Sequence, residues 1–118
     1  MITPEEIIRI VADYYHLDKI DLIIRNRNER FVKARHIAMY YCRHKTEFTL
    51  REIGNAFDYR SHDTVIHAIK SVENQVETNK RYREDFKDIE LIIEQSILKE
   101  KIITEIIESE VFQENDFY

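Results

Sequence analysis

Among 118 residues there is one glycine and one proline. A β-rich chain of this length must turn many times, and its tight turns draw on glycine and proline. That turn chemistry is scarce here. Ile, Leu and Tyr recur instead at helical spacing between charged residues, so the expected fold is all-α. The length suits one domain with a modest core. No apolar run approaches the roughly 20 residues of a membrane span, and no signal-peptide pattern opens the chain. A cytoplasmic location with no membrane partner is expected. Cys42 stands alone, which rules out an intrachain disulfide or a zinc cluster and leaves a packed thiol.

Local signals divide the chain into helices. Thr3-Pro4-Glu5-Glu6 is a capping box with proline at the first helical position. It opens a helix over about 4–15, with Ile7, Ile8, Val11, Tyr14 and Tyr15 as its apolar stripe. Asp18 caps a short second helix over 19–24. Arg25 to Arg30 reads as a polar, basic loop, and a third helix is expected from Val32 to His44. Thr49-Leu50-Arg51-Glu52 is a second capping box and starts a fourth helix that ends near Phe57. Gly54 either permits close helix approach or fits the tight geometry before the turn at 58–60. Ser61 caps a fifth helix to about Thr78, with Val65, Ile69, Val72 and Val76 inward. Asn79 interrupts the pattern. A last helical region covers about 81–112, and Glu114 to Tyr118 reads as a loose tail.

The fourth and fifth helices with their short turn form a helix-turn-helix. The fifth opens on Ser61, His62, Asp63 and Thr64. Small polar side chains at such an N-terminus can reach base edges in a DNA groove, while helix-end amides and nearby cations meet phosphate. The net charge of −5 hides a strong division. Residues 1–24 carry −3, residues 25–83 carry +6, and residues 84–118 carry −8. Screening cuts off distant charge over roughly 8 Å at physiological salt, so the local field decides.

The segment Ile53 to Ala68 resembles the C-terminal DNA-binding domain of the bacterial replication initiator DnaA. That family reads Ile-Gly-x-x-Phe-Gly-Gly-Arg-Asp-His-Thr-Thr-Val-x-His-Ala. Ile53, Gly54, Phe57, Arg60, His62, Thr64, Val65, His67 and Ala68 match it. Upstream, Val11 to Tyr15, Leu17 to Ile23 and Arg35-His36-Ile37-Ala38-Met39-Tyr40 are similar to its opening helices and its Arg-Gln-Ile-Ala-Met-Tyr. The likeness spans roughly residues 5 to 93. It implies a helix-turn-helix bundle of the DnaA C-terminal, Trp-repressor-like type, with an extended C-terminal helix, and double-stranded DNA carrying a DnaA-box-like site as partner.

Carried over by position, the resemblance makes His62 and Thr64 candidate base or backbone contacts. Arg25 and Arg27, with Arg30 and Lys33 in the same basic stretch, become candidate minor-groove or phosphate contacts. Arg35, Arg43 and Arg60 become candidate phosphate contacts, with the main-chain amides of Thr49 and Leu50 nearby. Ser61, Asp63 and His67 complete the candidate DNA-binding set. The chain departs from the family in several places. Asp58-Tyr59 replaces Gly-Gly, Ser61 replaces Asp, Asp63 replaces Thr, Ala34 replaces Pro, and Glu29 stands where the family has a loop arginine. Asp63 sets a negative charge near passing phosphate, or accepts from a cytosine N4 amine.

Other chemistries find little support. His62, Asp63 and His67 do not share a helix face as metal ligands would. Cys42 with His44 lacks a third orienting group for nucleophilic catalysis. Gly-x-x-x-x-Gly-Lys-Ser/Thr is absent, and one glycine cannot supply such a loop. No enzyme activity, cofactor or metal is expected. The leading expectation is sequence-specific DNA binding in replication control or transcription regulation, with a nucleoid association. The alternative is a protein-interaction adaptor that has lost DNA reading, suggested by Asp63 and the acidic C-terminal third. Residues 1–94 are expected to form the DNA-binding domain, and 95–118 an acidic amphipathic extension. The extension carries apolar pairs from Ile97 to Phe112. It either folds back on the domain or pairs with another subunit, and a homodimer through this helix is the favoured expectation.

Overall fold

A computed structural model describes the backbone of residues 1–115 and side chains through Val111. Six helices follow one another: α1 (Pro4–Tyr14), α2 (Lys19–Ile23), α3 (Glu29–Lys45), α4 (Leu50–Ala56), α5 (His62–Thr78) and α6 (Lys80–Asn115). There is no strand among the described residues, so the all-α expectation holds.

Three of the caps read from sequence are present, at Thr3, Thr49 and Ser61, whereas Asp18 stands at the N-cap of α2 but makes no side-chain cap hydrogen bond. Thr3 accepts from the Glu6 amide, with Pro4 at the first helical position. Thr49 and Glu52 form a reciprocal capping box, and the Ser61 side chain accepts from the Thr64 amide. Two boundaries differ from expectation by more than one residue. α3 begins at Glu29, before Val32, because the Asn28 side chain accepts from the Arg30 amide at 3.0 Å and caps it. At the other end, α6 includes Glu114 and Asn115, the first two residues of the expected tail. The rest of that tail, Asp116 to Tyr118, and the side chain of Phe112 lie outside the described residues.

The core gathers Ile7, Ile8 and Val11 from α1, Leu22 from α2, and Ile37, Met39 and Tyr41 from α3. Ile53 and Phe57 join from α4 and its cap, Val65 and Val72 from α5, and Ile89 and Ile93 from α6. Cys42 is a buried free thiol, and burial raises its pKa, which keeps it protonated and inert. α6 is docked by polar contacts as well. The nearly buried Asp85 carboxylate accepts from Lys33 Nζ at 2.9 Å, Tyr15 Oη at 3.1 Å and Tyr14 Oη at 3.2 Å. Burial alone would raise its pKa, but the Lys33 ammonium and the two tyrosine hydroxyls outweigh that and lower it. Tyr41 Oη donates to the Phe86 carbonyl at 2.7 Å, and the two rings stack. Past Ile97 the helix leaves the core. Its 36 residues extend about 54 Å, most of the molecule's 60 Å length.

The turn between α4 and α5 decides what Gly54 does. Its φ is not positive. A Cβ there would meet the Arg60 carbonyl oxygen at 2.1 Å, and the Arg60 amide donates to the Gly54 carbonyl at 2.9 Å. Close approach is therefore the reason for the glycine. The left-handed positions fall on Asp58 (φ 61°) and Tyr59 (φ 54°). Gly54→Ala should destabilise the fold by about 1–3 kcal/mol, because backbone must move to admit the methyl group. Tyr59→Gly should stabilise it by about 0.5–1 kcal/mol, since it relieves a strained φ on an exposed ring and only part of that gain is offset by chain entropy. Urea denaturation of the two variants should shift the midpoint in opposite directions.

Candidate nucleic-acid interface

The start of α5 is open to solvent. Ser61, His62, Asp63 and Thr64 are all exposed. Ser61 Oγ lies 3.0 Å from Thr64 Oγ1, so the cap also orients the threonine hydroxyl. His62 Nε2 sits 3.4 Å from Asp63 Oδ1, and both side chains face water. Val65, Ala68 and Val72 are buried beneath this surface, which fixes the helix axially while its first turn projects. His67 is exposed one to two turns along.

The basic stretch before α3 lies against the same turn. Arg60 Nη2 donates to the Ile24 carbonyl at 3.2 Å. Arg25 Nε lies 3.6 Å from Asp58 Oδ2. The loop is ordered internally by Asn26 and Asn28: the Asn28 amide donates to Asn26 Oδ1 at 2.9 Å, and the Asn26 amide to the Ile24 carbonyl at 2.9 Å. Arg25 and Arg27 project from it, both exposed.

Several expected phosphate contacts are otherwise engaged. Arg35 is 4% exposed, so it is not a surface cation. Its Nε donates to the Leu22 carbonyl at 2.7 Å, and its Nη2 to the carbonyls of Ile24 at 2.7 Å and Asn26 at 3.1 Å. Burial, and then the neighbouring Arg60 charge, push its pKa down to about 10, which leaves it cationic at neutral pH. Lys33 points inward to Asp85 and lies over the Tyr15 and Tyr82 rings. Arg30 reaches back to the Tyr15 carbonyl at 2.6 Å. Arg60 is half-buried with its Nε unpartnered. The Thr49 amide donates to Glu52 within the capping box, so it is occupied as well, and Leu50 is half-buried at the first position of α4. Arg43 is exposed near the end of α3. Of the candidate side chains, Arg25, Arg27, Ser61, His62, Asp63, Thr64 and His67 face solvent around the turn, and Arg30 is exposed with its guanidinium held by the Tyr15 carbonyl.

The model of the bacterial dnaA protein helix-turn-helix family matches residues 4–72. The chain belongs to the DnaA C-terminal helix-turn-helix family. It is 36% identical over 88 residues to the chromosomal replication initiator protein DnaA of Corynebacterium jeikeium. It is 33% identical over 92 residues to that of Bacteroides fragilis and 41% identical over 78 residues to that of Aquifex aeolicus. These alignments cover 75%, 78% and 66% of this chain but 15%, 19% and 20% of the relatives, so the chain corresponds to a small part of their length. A solved crystal structure of a DNA replication initiation factor superposes with a TM-score of 0.66 at 38% identity, covering 74% of this chain and 26% of that one. In this DnaA-type frame, the left-handed Asp58 and Tyr59 occupy the positions of the family's Gly-Gly.

Two residues at this surface escape a reading of motifs. Asp58 holds Arg25, and its substitution for glycine is its only signal. His36 packs near Arg35, His67 and Arg60, and differs from the family's Gln. Burial, then Arg35, His67 and Arg60, push its pKa from 6.5 down to about 4. The folded state therefore favours neutral His36. Well above pH 6.5 the group is neutral in both states and contributes no pH dependence. As pH falls from 6.5 toward about 4, the unfolded chain binds the proton first, so folding stability should fall. His36→Gln should flatten that part of the profile, measured by urea denaturation at pH 7 and pH 5.

Proposed function

We propose that this chain binds double-stranded DNA through the start of α5 and the loop before α3, in replication initiation or its control, with no ATPase activity of its own. The observation that carries the reading is the shared anchoring of these two parts. Arg60 of the turn and Arg35 of α3 both donate to the Ile24 carbonyl, so the basic loop and the first turn of α5 form one pre-set surface. Pre-set geometry limits the ordering entropy lost on binding. Arg25 and Arg27 supply phosphate or minor-groove contacts. His62, Asp63 and Thr64 supply major-groove contacts, with His67 and Arg43 at the margin. Residues up to about 94 form the binding unit, and the acidic extension lies away from the duplex, where phosphate repels it. Among the described residues no helix is long and apolar enough to cross a membrane.

Fluorescence anisotropy with a DnaA-box duplex, a scrambled duplex and a single strand tests the proposal. Binding should favour duplex over single strand. Loss of all duplex binding at low salt would instead support the adaptor reading, which the exposed Asp63 carboxylate favours. Arg25→Gln with Arg27→Gln should weaken binding to every duplex and reduce the salt slope by about 0.9 for each phosphate that is no longer neutralised.

Sequence preference should depend on the first turn of α5. His62→Ala and Asp63→Thr should leave the fold intact, since both side chains are exposed. Each should change discrimination by about 1–3 kcal/mol at one base position. Asp63→Thr should shift preference toward the ordinary DnaA box. Randomised-site selection on the wild type and both variants reads this directly, and an identical motif from all of them would remove base reading from these residues.

A further inference from the structure

Beyond Ile97, α6 carries an uncovered apolar band. Leu98, Ile102, Ile103, Ile106, Ile107 and Val111 are each about half exposed. A folded-back helix would have covered them, but α6 runs outward unbroken. A contiguous band of this kind marks an interaction surface.

The order of residues along the band shows what fits it. Outward from the Thr104–Glu105 peptide bond, Ile103 corresponds to Ile106, Ile102 to Ile107, and Leu98 to Val111. At the outer positions of the same face Lys99 corresponds to Glu110, and on the opposite face Lys101 corresponds to Glu108. The one remaining outer pair is Glu100 with Ser109, which sets no like charges together. The segment is thus an inverted repeat in hydrophobicity and a sign-reversed one in charge. Two antiparallel copies of a helix bring residues equidistant from their common centre face to face, and a two-fold interface repeats each such contact twice.

We propose that the isoleucines of this band, Ile102, Ile103, Ile106 and Ile107, are covered by a second copy of this chain, with the two α6 helices antiparallel and centred on the Thr104–Glu105 bond. Lys99, Ile103, Ile106 and Glu110 follow a four-three-four spacing, so they lie along one line of the helix as coiled-coil seam positions do. The two isoleucine layers form the middle of the seam. Each end is closed by Lys99 of one copy against Glu110 of the other. A parallel pair would instead set Lys99 against Lys99 and Glu110 against Glu110. An unrelated basic partner would satisfy the acidic charge but has no need of the inverted order. This pairing is independent of the DNA reading above. Its seam is short, so the dimer should be weak and concentration-dependent.

Sedimentation equilibrium of the full chain from low to high micromolar concentration tests the proposal. The wild type should form a dimer, and Ile103→Asp should abolish it. Lys99→Glu alone and Glu110→Lys alone should each weaken dimerisation by about three- to thirtyfold, because both symmetry-related pairs become repulsive. Combining Lys99→Glu with Glu110→Lys should restore it. These side chains are exposed and away from the core, so circular dichroism should show unchanged helicity. A chain that stays monomeric at high micromolar concentration overturns the proposal. So does a dimer indifferent to the single charge reversals, or one that the double variant fails to restore.

Discussion

The candidate interface depends on one buried cation. Arg35 stands inside the domain and donates to the carbonyls of Leu22, Ile24 and Asn26. Removing a guanidinium from water is unfavourable unless its hydrogen bonds are replaced, and these carbonyls replace them. They in turn need donors, because the irregular backbone at 24–26 has no helix to supply them in full. Each side solves the other's problem. The loop that presents Arg25 and Arg27 is therefore an ordered part of the domain, and Arg60 ties the helix-turn-helix turn to the same Ile24 carbonyl.

That division of labour explains why the arginines cannot be treated as one basic patch. Arg35, Arg60 and Arg30 hold backbone carbonyls. Arg25 is shared with Asp58, an exposed pair at 3.6 Å that contributes little to stability. Asp58 also moderates the positive field beside the turn. A glycine at that position would do neither. The chain has instead accepted Asp58 and Tyr59 in the left-handed region and kept its single glycine for the contact at Arg60.

The helices are legible in the sequence because their starts are chemically marked. Thr3, Thr49 and Ser61 are side chains that accept from backbone amides, and each caps where its sequence pattern places it. Asn28 does the same for α3, but it lies within a run of polar and basic residues that reads equally well as loop. Of the interface, the exposed first turn of α5 is legible, since its apolar positions are spaced to face inward. Which cations turn inward is not. The partners of Arg35 are main-chain carbonyls, which carry no residue identity, and the partner of Lys33 is Asp85, 52 residues away. Gly54 fits two roles on sequence alone, and only the Arg60 carbonyl beside it separates them.

The continuity of α6 couples the two ends of the molecule in rotation. Its first half is fixed by Tyr82, Asp85, Ile89 and Ile93 in the core, and no break intervenes before its distal half. Whatever the distal face meets is therefore held at a set azimuth to α5. One residue inserted after Ile97 would turn that face by about 100° and advance it about 1.5 Å, whereas seven would nearly restore the angle and change only the reach. The helix behaves as a keyed shaft, in which the length of the segment sets phase as well as distance.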